Sequence, residues 1–291
     1  MSGVAAWRVA SRPHTLPASV APVLVGGGLA QADGVFRWDV FMATAVAAVA
    51  IQVAANFAND VSDARRGADS PDRVGPPRMV SQGVISSTAM WAGVWVALAV
   101  AGAAAVWLTA IAGPVVLVIG AVSVLAMLGY VGGPIPYGYR GLGEVFVFVF
   151  FGLVATVGSR FVYDGTAPRS AWLLAVPVGL LAAAILVANN YRDMATDADS
   201  GKRTLAVIMG PRRTKWLFAV LVFAPYLSIA AFAMSGLTPR STLFAALLAP
   251  LGLGPVRLLA DDRNLVAALK LTARLHLVTG AVLAMALALS G

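Results

Sequence analysis

The stretch NFANDVSDARRGADSPDRVGPPR, residues 56–78, carries the carboxylates Asp60, Asp63, Asp69 and Asp72 and the arginines Arg65, Arg66, Arg73 and Arg78. It follows an apolar run, 40–55, whose only polar side chains are Thr44 and Gln52. If the run continues as a helix, Asn56, Asp60 and Asp63 fall at i, i+4 and i+7, on one face. Gly67 and Pro71 then break the helix. A helix with acids at its membrane end, facing a pocket, has the pattern of a cation site.

The composition fits that setting. Of 291 residues, 59% are hydrophobic and 12% charged, about half the roughly 25% charge of a soluble domain. The chain is expected to be an all-α polytopic membrane protein forming a single domain over 1–291. With no cysteine, disulfides, thiolate nucleophiles and Cys-ligated zinc are excluded together. His14 and His276 are too far apart in sequence for an HExxH-type site. Any metal is therefore expected to be held by oxygen, which suits Mg²⁺ or Mn²⁺. The net charge of +8 would suggest nucleic acid in a soluble protein; here it reports topology, and no nucleic-acid partner is expected. No cleavable leader is expected, because the short N-terminus with Arg8 and Arg12 leads straight into a span.

Apolar runs long enough to cross a bilayer fall at 14–32, 39–62, 88–108, 113–131, 143–160, 171–191, 214–235, 241–260 and 268–289. They predict nine transmembrane helices in a bundle, with the joint at 109–113 also compatible with one kinked helix. With the N-terminus in the cytoplasm, nine spans leave only Arg37, Arg160, Arg169 and Arg240 of the 21 basic residues outside. That asymmetry favours an N-in, C-out plasma-membrane protein. Both acid-rich loops then lie on the cytoplasmic side.

The second acid-rich segment, NNYRDMATDADSGKRTLAV over 189–207, puts Asn190, Asp193 and Asp197 at i, i+3 and i+7. Setting 59–73 against 189–203 matches Asn59 with Asn189, Asp63 with Asp193, Ala68 with Ala198, Asp69 with Asp199, Ser70 with Ser200 and Arg73 with Arg203. This is either an internal repeat or convergence on one task. Solvated loops balanced by nearby arginines would account for Asp69 or Asp72 alone, but not for the same one-faced pattern occurring twice.

Two carboxylate clusters facing one cavity repel each other, and divalent cations between them remove the conflict. Mg²⁺ favours one or two carboxylates plus phosphate oxygens and water, and the neighbouring Lys and Arg complement phosphate. The expected ligand is a diphosphate on a lipid tail, bridged through Mg²⁺ to both acidic segments at the cytoplasmic edge of a hydrophobic cavity. On this reading Asp60, Asp63, Asp193 and Asp197 are metal ligands, and Asn56 and Asn190 ligate or orient. Arg73, Arg78, Lys202 and Arg203 meet the diphosphate, with Arg140 behind them. Arg65, Arg66, Arg212 and Arg213 are read as topology determinants. Asp69, Asp72 and Asp199 are left between outer-layer and loop-closing roles.

Three stretches, NDVSDARRGADSPDRVGPPRMV, YVGGPIPYGYRGLGE and NNYRDMATDADSGKRTLAV, resemble the UbiA superfamily of intramembrane prenyltransferases. Within it they are most similar to the menaquinone-pathway branch, the 1,4-dihydroxy-2-naphthoate polyprenyltransferases. SRPHTLPASVAPVLVG is similar to that branch too, although Lys is more usual where His14 stands. The resemblance covers nearly the whole chain. It implies nine helices around a central cavity open sideways to membrane lipid. It also implies transfer of a polyprenyl group from polyprenyl diphosphate to 1,4-dihydroxy-2-naphthoate, with loss of diphosphate and CO₂ to give demethylmenaquinone.

The remaining candidates are Tyr139, whose ring face in the Gly/Pro-rich loop can stabilise a cation, and His14, as a contact for the naphthoate carboxylate. Glu144 is read as a helix-dipole residue. Three alternatives remain. A related prenyltransferase would use another acceptor, such as 4-hydroxybenzoate. A cation-coupled transporter would place acids near the bilayer midplane. A CDP-alcohol phosphotransferase would need a DGxxAR pattern, which is absent.

Overall fold

A computed structural model describes residues 3–66, 77–132 and 136–290 of the chain. Among these there is no strand, and the architecture is entirely helical. The first helix, α1 (Gly3–Ala10), is short and buries Ala6 and Ala10, while Trp7 meets Phe57 edge-on at 5.2 Å. Arg12, in the left-handed region at φ 49°, then turns the chain into the Pro13–Thr15 turn. The helix that follows, α2 (Pro17–Ala32), is bent 56° from the preceding segment.

α3 (Trp38–Arg65) is 28 residues long, roughly 42 Å at 1.5 Å per residue. The hydrocarbon layer is only about 30 Å thick. α3 is therefore longer than that layer, and its acid-bearing last turns follow the apolar part. α4 (Ser87–Ala112) is capped by Ser86, which accepts from the Ala89 amide, and it ends at Gly113, whose φ of 83° suits glycine. α5 (Val115–Val131) has 17 residues. α6 (Gly143–Val147), a π-helical stretch (Phe148–Val154) and α7 (Ala155–Phe161) form one continuous rod. α8 (Arg169–Arg192) is followed by the short α9 (Met194–Asp199) and by α10 (Leu205–Met234), which is kinked at Gly210. α11 (Leu243–Ala246) and α12 (Leu253–Ala260) share a span broken by 3₁₀ turns, and α13 (Leu265–Ala288) closes the bundle.

Seven of these rods are long and apolar enough to cross a membrane, and the bent α1–α2 pair makes an eighth. The expected fourth span, 113–131, is the helix α5, whose 17 residues are at the lower limit of a spanning length. By length and composition the described residues therefore give seven or eight spans, and the count of nine is not reached. A second difference lies at α10, whose helix starts at Leu205, ahead of the expected 214. A left-handed Gly210 (φ 74°) followed by Pro211 joins two helical pieces there.

α8 is the most enclosed element, burying Leu174, Val178, Leu181 and Ile185 against α2, α10 and α13. Lipid tails are as apolar as leucine, so membrane helices associate through close backbone approach at small residues. A Cβ added to Gly152 would lie 2.5 Å from the Cα of Gly179, and one on Gly28 2.6 Å from that of Ala284. At the end of the bundle opposite the acids, buried Arg160 joins Asp33 (2.7 Å) to Asp164 (2.9 Å).

Candidate functional site

Asn56, Asp60 and Asp63 are all buried near the end of α3. Asp60 accepts the backbone amides of Met79 and Val80, each at 3.1 Å, and so pulls the returning loop onto the helix. Asp63 has its Oδ2 held by the guanidinium of Arg78 and its Oδ1 by the Tyr139 hydroxyl at 2.8 Å. Asn56 donates to the Ser11 carbonyl (2.8 Å) and to Thr15 Oγ1 (2.9 Å), tying α3 to the chain ahead of α2.

The second group does not sit on one unbroken helix. α8 stops at Arg192, and Asp193, at φ −95° and ψ 8°, forms the joint with α9. Arg192 grips Asp193 through Nε (2.7 Å) and Nη2 (2.6 Å) and also reaches Asn189. Asn190 donates to Glu144 Oε1 at 2.9 Å. Lys202 pairs with Asp197 at 3.2 Å. Burial pushes the Asp197 carboxyl up to about 6; Lys202 opposes this, and Asp193 and Asp63 reinforce it.

Tyr139 lies between the two groups. Its ring has the Arg66 guanidinium at 4.4 Å and the Lys202 ammonium at 5.3 Å, and its carbonyl accepts the Arg203 amide at 3.2 Å. Arg66, read from the sequence as a topology residue, is thus part of the aromatic contact. Burial, followed by the neighbouring Asp63 charge, raises the Tyr139 phenol above its ordinary range, so it stays a donor.

A cavity of about 490 Å³ opens at this mouth, within the size range of ligand sites, roughly 300–1,000 Å³. Of the expected site residues, Asn56, Asp63, Arg78, Tyr139 and Lys202 line it, together with Asn59, Asn189, Tyr130 and Tyr137, which were not singled out as site residues. Its wall is apolar, with Ile51, Leu98, Val124, Phe146 and Phe150, and it continues to Thr44, Leu108 and Val162. Thr44 to Asp63 along α3 corresponds to roughly 28 Å of helix rise. Asp60, Asn190, Asp193 and Asp197 are buried just behind the lining. Arg140 and Arg203 are exposed, and His14, among Arg12, Arg192 and Lys270, lies off the cavity. Arg73, Asp69 and Asp72 lie outside the described residues.

Among the described residues, no three His, Asp or Glu side chains converge closely enough to hold a metal unaided. The donor type nevertheless suits a hard cation. Asp197 Oδ2, Asn190 Oδ1 and Glu144 Oε2 are buried oxygens with no hydrogen-bond partner among the described residues.

The fold and this site define an all-helical integral membrane protein whose carboxylates and cations meet at the mouth of an apolar cavity. Residues 19–279 match the model of the UbiA prenyltransferase family, and the chain belongs to that family. It is 38% identical to the 1,4-dihydroxy-2-naphthoate octaprenyltransferase of Mycobacterium tuberculosis, over 99% of this chain and 98% of that one. It is 35% identical to the Escherichia coli protein of the same name, over 80% and 77%. In fold it is similar to a UbiA homolog from Aeropyrum pernix K1, with TM-score 0.73 and 16% identity over 92% of this chain and 96% of that one. It also resembles a UbiA homolog from Archaeoglobus fulgidus solved with GPP and Mg²⁺, with TM-score 0.66 and 14% identity over 96% and 99%.

Proposed function

We propose that the protein transfers a polyprenyl group from polyprenyl diphosphate to 1,4-dihydroxy-2-naphthoate, releasing diphosphate and CO₂ and giving demethylmenaquinol, the reduced form of demethylmenaquinone. The observation that carries the reading is Asp63, bound to Arg78 and Tyr139, at the mouth of a deep apolar cavity and within reach of the Lys202 cluster. The naphthoate as acceptor is supported by the relatives named for it, including one matched over nearly its whole length.

The residues divide the work. The apolar wall takes the prenyl tail and keeps water from the allylic carbon. Lys202 and Arg78 attract the diphosphate, with Arg203 and Arg140 adding positive potential at the rim and Arg73 assigned there from the sequence. Asp60, Asp63, Asp193 and Asp197 would hold Mg²⁺, with Asn56 and Asn190 orienting them. Held there, the ion would supply charge neutralisation for a departing diphosphate. Tyr139 offers a π face to positive charge developing at the allylic carbon. His14 does not line the cavity, so a contact with the naphthoate carboxylate would require it to move. The active site is read as cytoplasmic, in a plasma-membrane protein with its N-terminus inside, from the distribution of basic residues.

The test uses purified protein in detergent with radiolabelled farnesyl diphosphate, longer donors and Mg²⁺. Parallel reactions contain 1,4-dihydroxy-2-naphthoate, 4-hydroxybenzoate or no acceptor. Prenylated product with CO₂ from the naphthoate alone supports the proposal. Product from 4-hydroxybenzoate alone would move the enzyme to another pathway. No transfer to either would overturn the prenyltransferase reading.

A further inference from the structure

Gln52 is buried in the middle of α3, 7% exposed, and lines the cavity one helical turn from Asn56. The direction of its amide is fixed by a relay of hydrogen bonds. Thr15 spends its hydroxyl proton on the Arg12 carbonyl (3.0 Å), so toward Asn56 it can only accept. Asn56 uses both amide protons, one on Thr15 Oγ1 and one on the Ser11 carbonyl. Its Oδ1 is therefore an acceptor and takes a proton from Gln52 Nε2 at 3.3 Å. The Gln52 carbonyl must then point away from Asn56, and Oε1 has no donor among the described residues.

A buried acceptor without a donor has given up its hydrogen bonds to water and gained none in return. One set in an otherwise apolar run, and held in one orientation by a relay through four other residues, suits a ligand that brings its own proton. The prenyl tail has none to give. The aromatic acceptor does: its 1-hydroxyl is engaged by the adjacent carboxylate, which leaves the 4-hydroxyl as the free donor. By helix rise, Gln52 lies roughly 10 Å below Asn59 at the polar mouth, a span that the substituted ring with a hydrogen bond at each end can bridge. We infer that Gln52 Oε1 accepts the hydroxyl on the far side of the acceptor ring and is the residue that selects a para-dihydroxylated acceptor over a monohydroxylated one. The inference rests on the proposed naphthoate reaction and names the contact by which that site recognises its substrate. The logic is that of any buried polar group built to meet a substrate hydroxyl: an analogue lacking the hydroxyl leaves it unpaired.

The experiment compares the wild type with Gln52→Met, which keeps the volume and removes both the acceptor and the donor to Asn56, and with Gln52→Glu, whose acid form keeps a carbonyl together with a proton for Asn56. Three quantities are measured: KM for the naphthoate, KM for the prenyl diphosphate, and the inhibition constant of 1-hydroxy-2-naphthoate, which lacks the second hydroxyl. Gln52→Met is expected to raise the naphthoate KM about tenfold or more, leaving the donor KM and the inhibition constant unchanged. Gln52→Glu is expected to restore most of the loss. Equal weakening of naphthoate and analogue, an unchanged naphthoate KM in Gln52→Met, or loss of activity in both variants would overturn the assignment. A wild type that prenylates no naphthoate would instead remove the reading on which the assignment rests.

Discussion

The hydroxyl of Tyr139 donates to Asp63 Oδ1 at 2.8 Å across 76 positions of sequence. This bond links the Gly/Pro-rich loop to the first acidic face, and the backbone of the same tyrosine accepts from Arg203, beyond the second. Tyr139 therefore sets the spacing of the two halves of the mouth. Tyr139→Phe keeps the ring and loses the bond, whose net worth is about 1.5–3 kcal/mol when the acceptor is charged. Turnover is expected to fall about tenfold or more, with further loss in Tyr139→Leu. Equal rates for the two variants would show that the ring face is idle.

Asp60, unlike Asp63, holds the backbone of the returning loop. Asp60→Ala strands the amides of Met79 and Val80, at a cost of about 1–3 kcal/mol for each buried orphan. The variant is expected to lose turnover and to melt several degrees lower in a detergent thermal scan, and trypsin is expected to cut the loop faster. Unchanged melting would mean that water replaces the carboxylate.

Gly28→Ala pushes a methyl group to within 2.6 Å of the Ala284 backbone, whereas at Gly254 the nearest atom, on Leu271, is 3.8 Å away. Thermal unfolding should separate the two: Gly28→Ala is expected to lose about 1–3 kcal/mol from overpacking, and Gly254→Ala to be neutral or slightly stabilising. Equal melting would count against tight α2–α13 packing.

Hydrogen bonds from Arg160 hold Asp164 down at about 2, with Thr166 contributing and burial opposing. A carboxylate lowered in the folded state stabilises fully above its unfolded value, near 3.8, and loses that contribution as pH falls toward 2. Because Asp164 is largely solvent-accessible, the effect is small. The melting advantage of wild type over Asp164→Asn is expected to be constant from pH 7 to pH 5 and to shrink below pH 4. A gap independent of pH would assign it to packing.

The face Asn56–Asp60–Asp63 was legible because one long helix carries it without interruption. The second face was legible as a cluster but not as a helix, since the break at Asp193 depends on dihedral angles that i, i+3, i+7 spacing does not encode. Asn59 and Asn189 were visible as a matched pair in the internal alignment, and both reach the cavity. Attention to charge passed over them. Glu144 does stand in the first turn of α6, as a helix-dipole residue would, but its bond from Asn190, 46 positions away, could not be read from the sequence. The span count was ambiguous for a physical reason: α5, at 17 residues, is at the lower limit of a spanning length, and the α1–α2 pair is bent where Thr15 meets α2, a joint no periodicity marks.

The most direct test of the account is equilibrium binding of a non-hydrolysable prenyl thiolodiphosphate, with Mg²⁺ or with EDTA, to the wild type, Asp63→Asn and Asp193→Asn. If both acidic groups bind one metal-bridged diphosphate, wild-type binding requires Mg²⁺, is abolished by EDTA and returns when the metal is restored. Each variant then weakens it about tenfold or more, the scale of losing one charge-assisted contact. Binding that persists in EDTA, or survives undiminished in either variant, would contradict the two-cluster site.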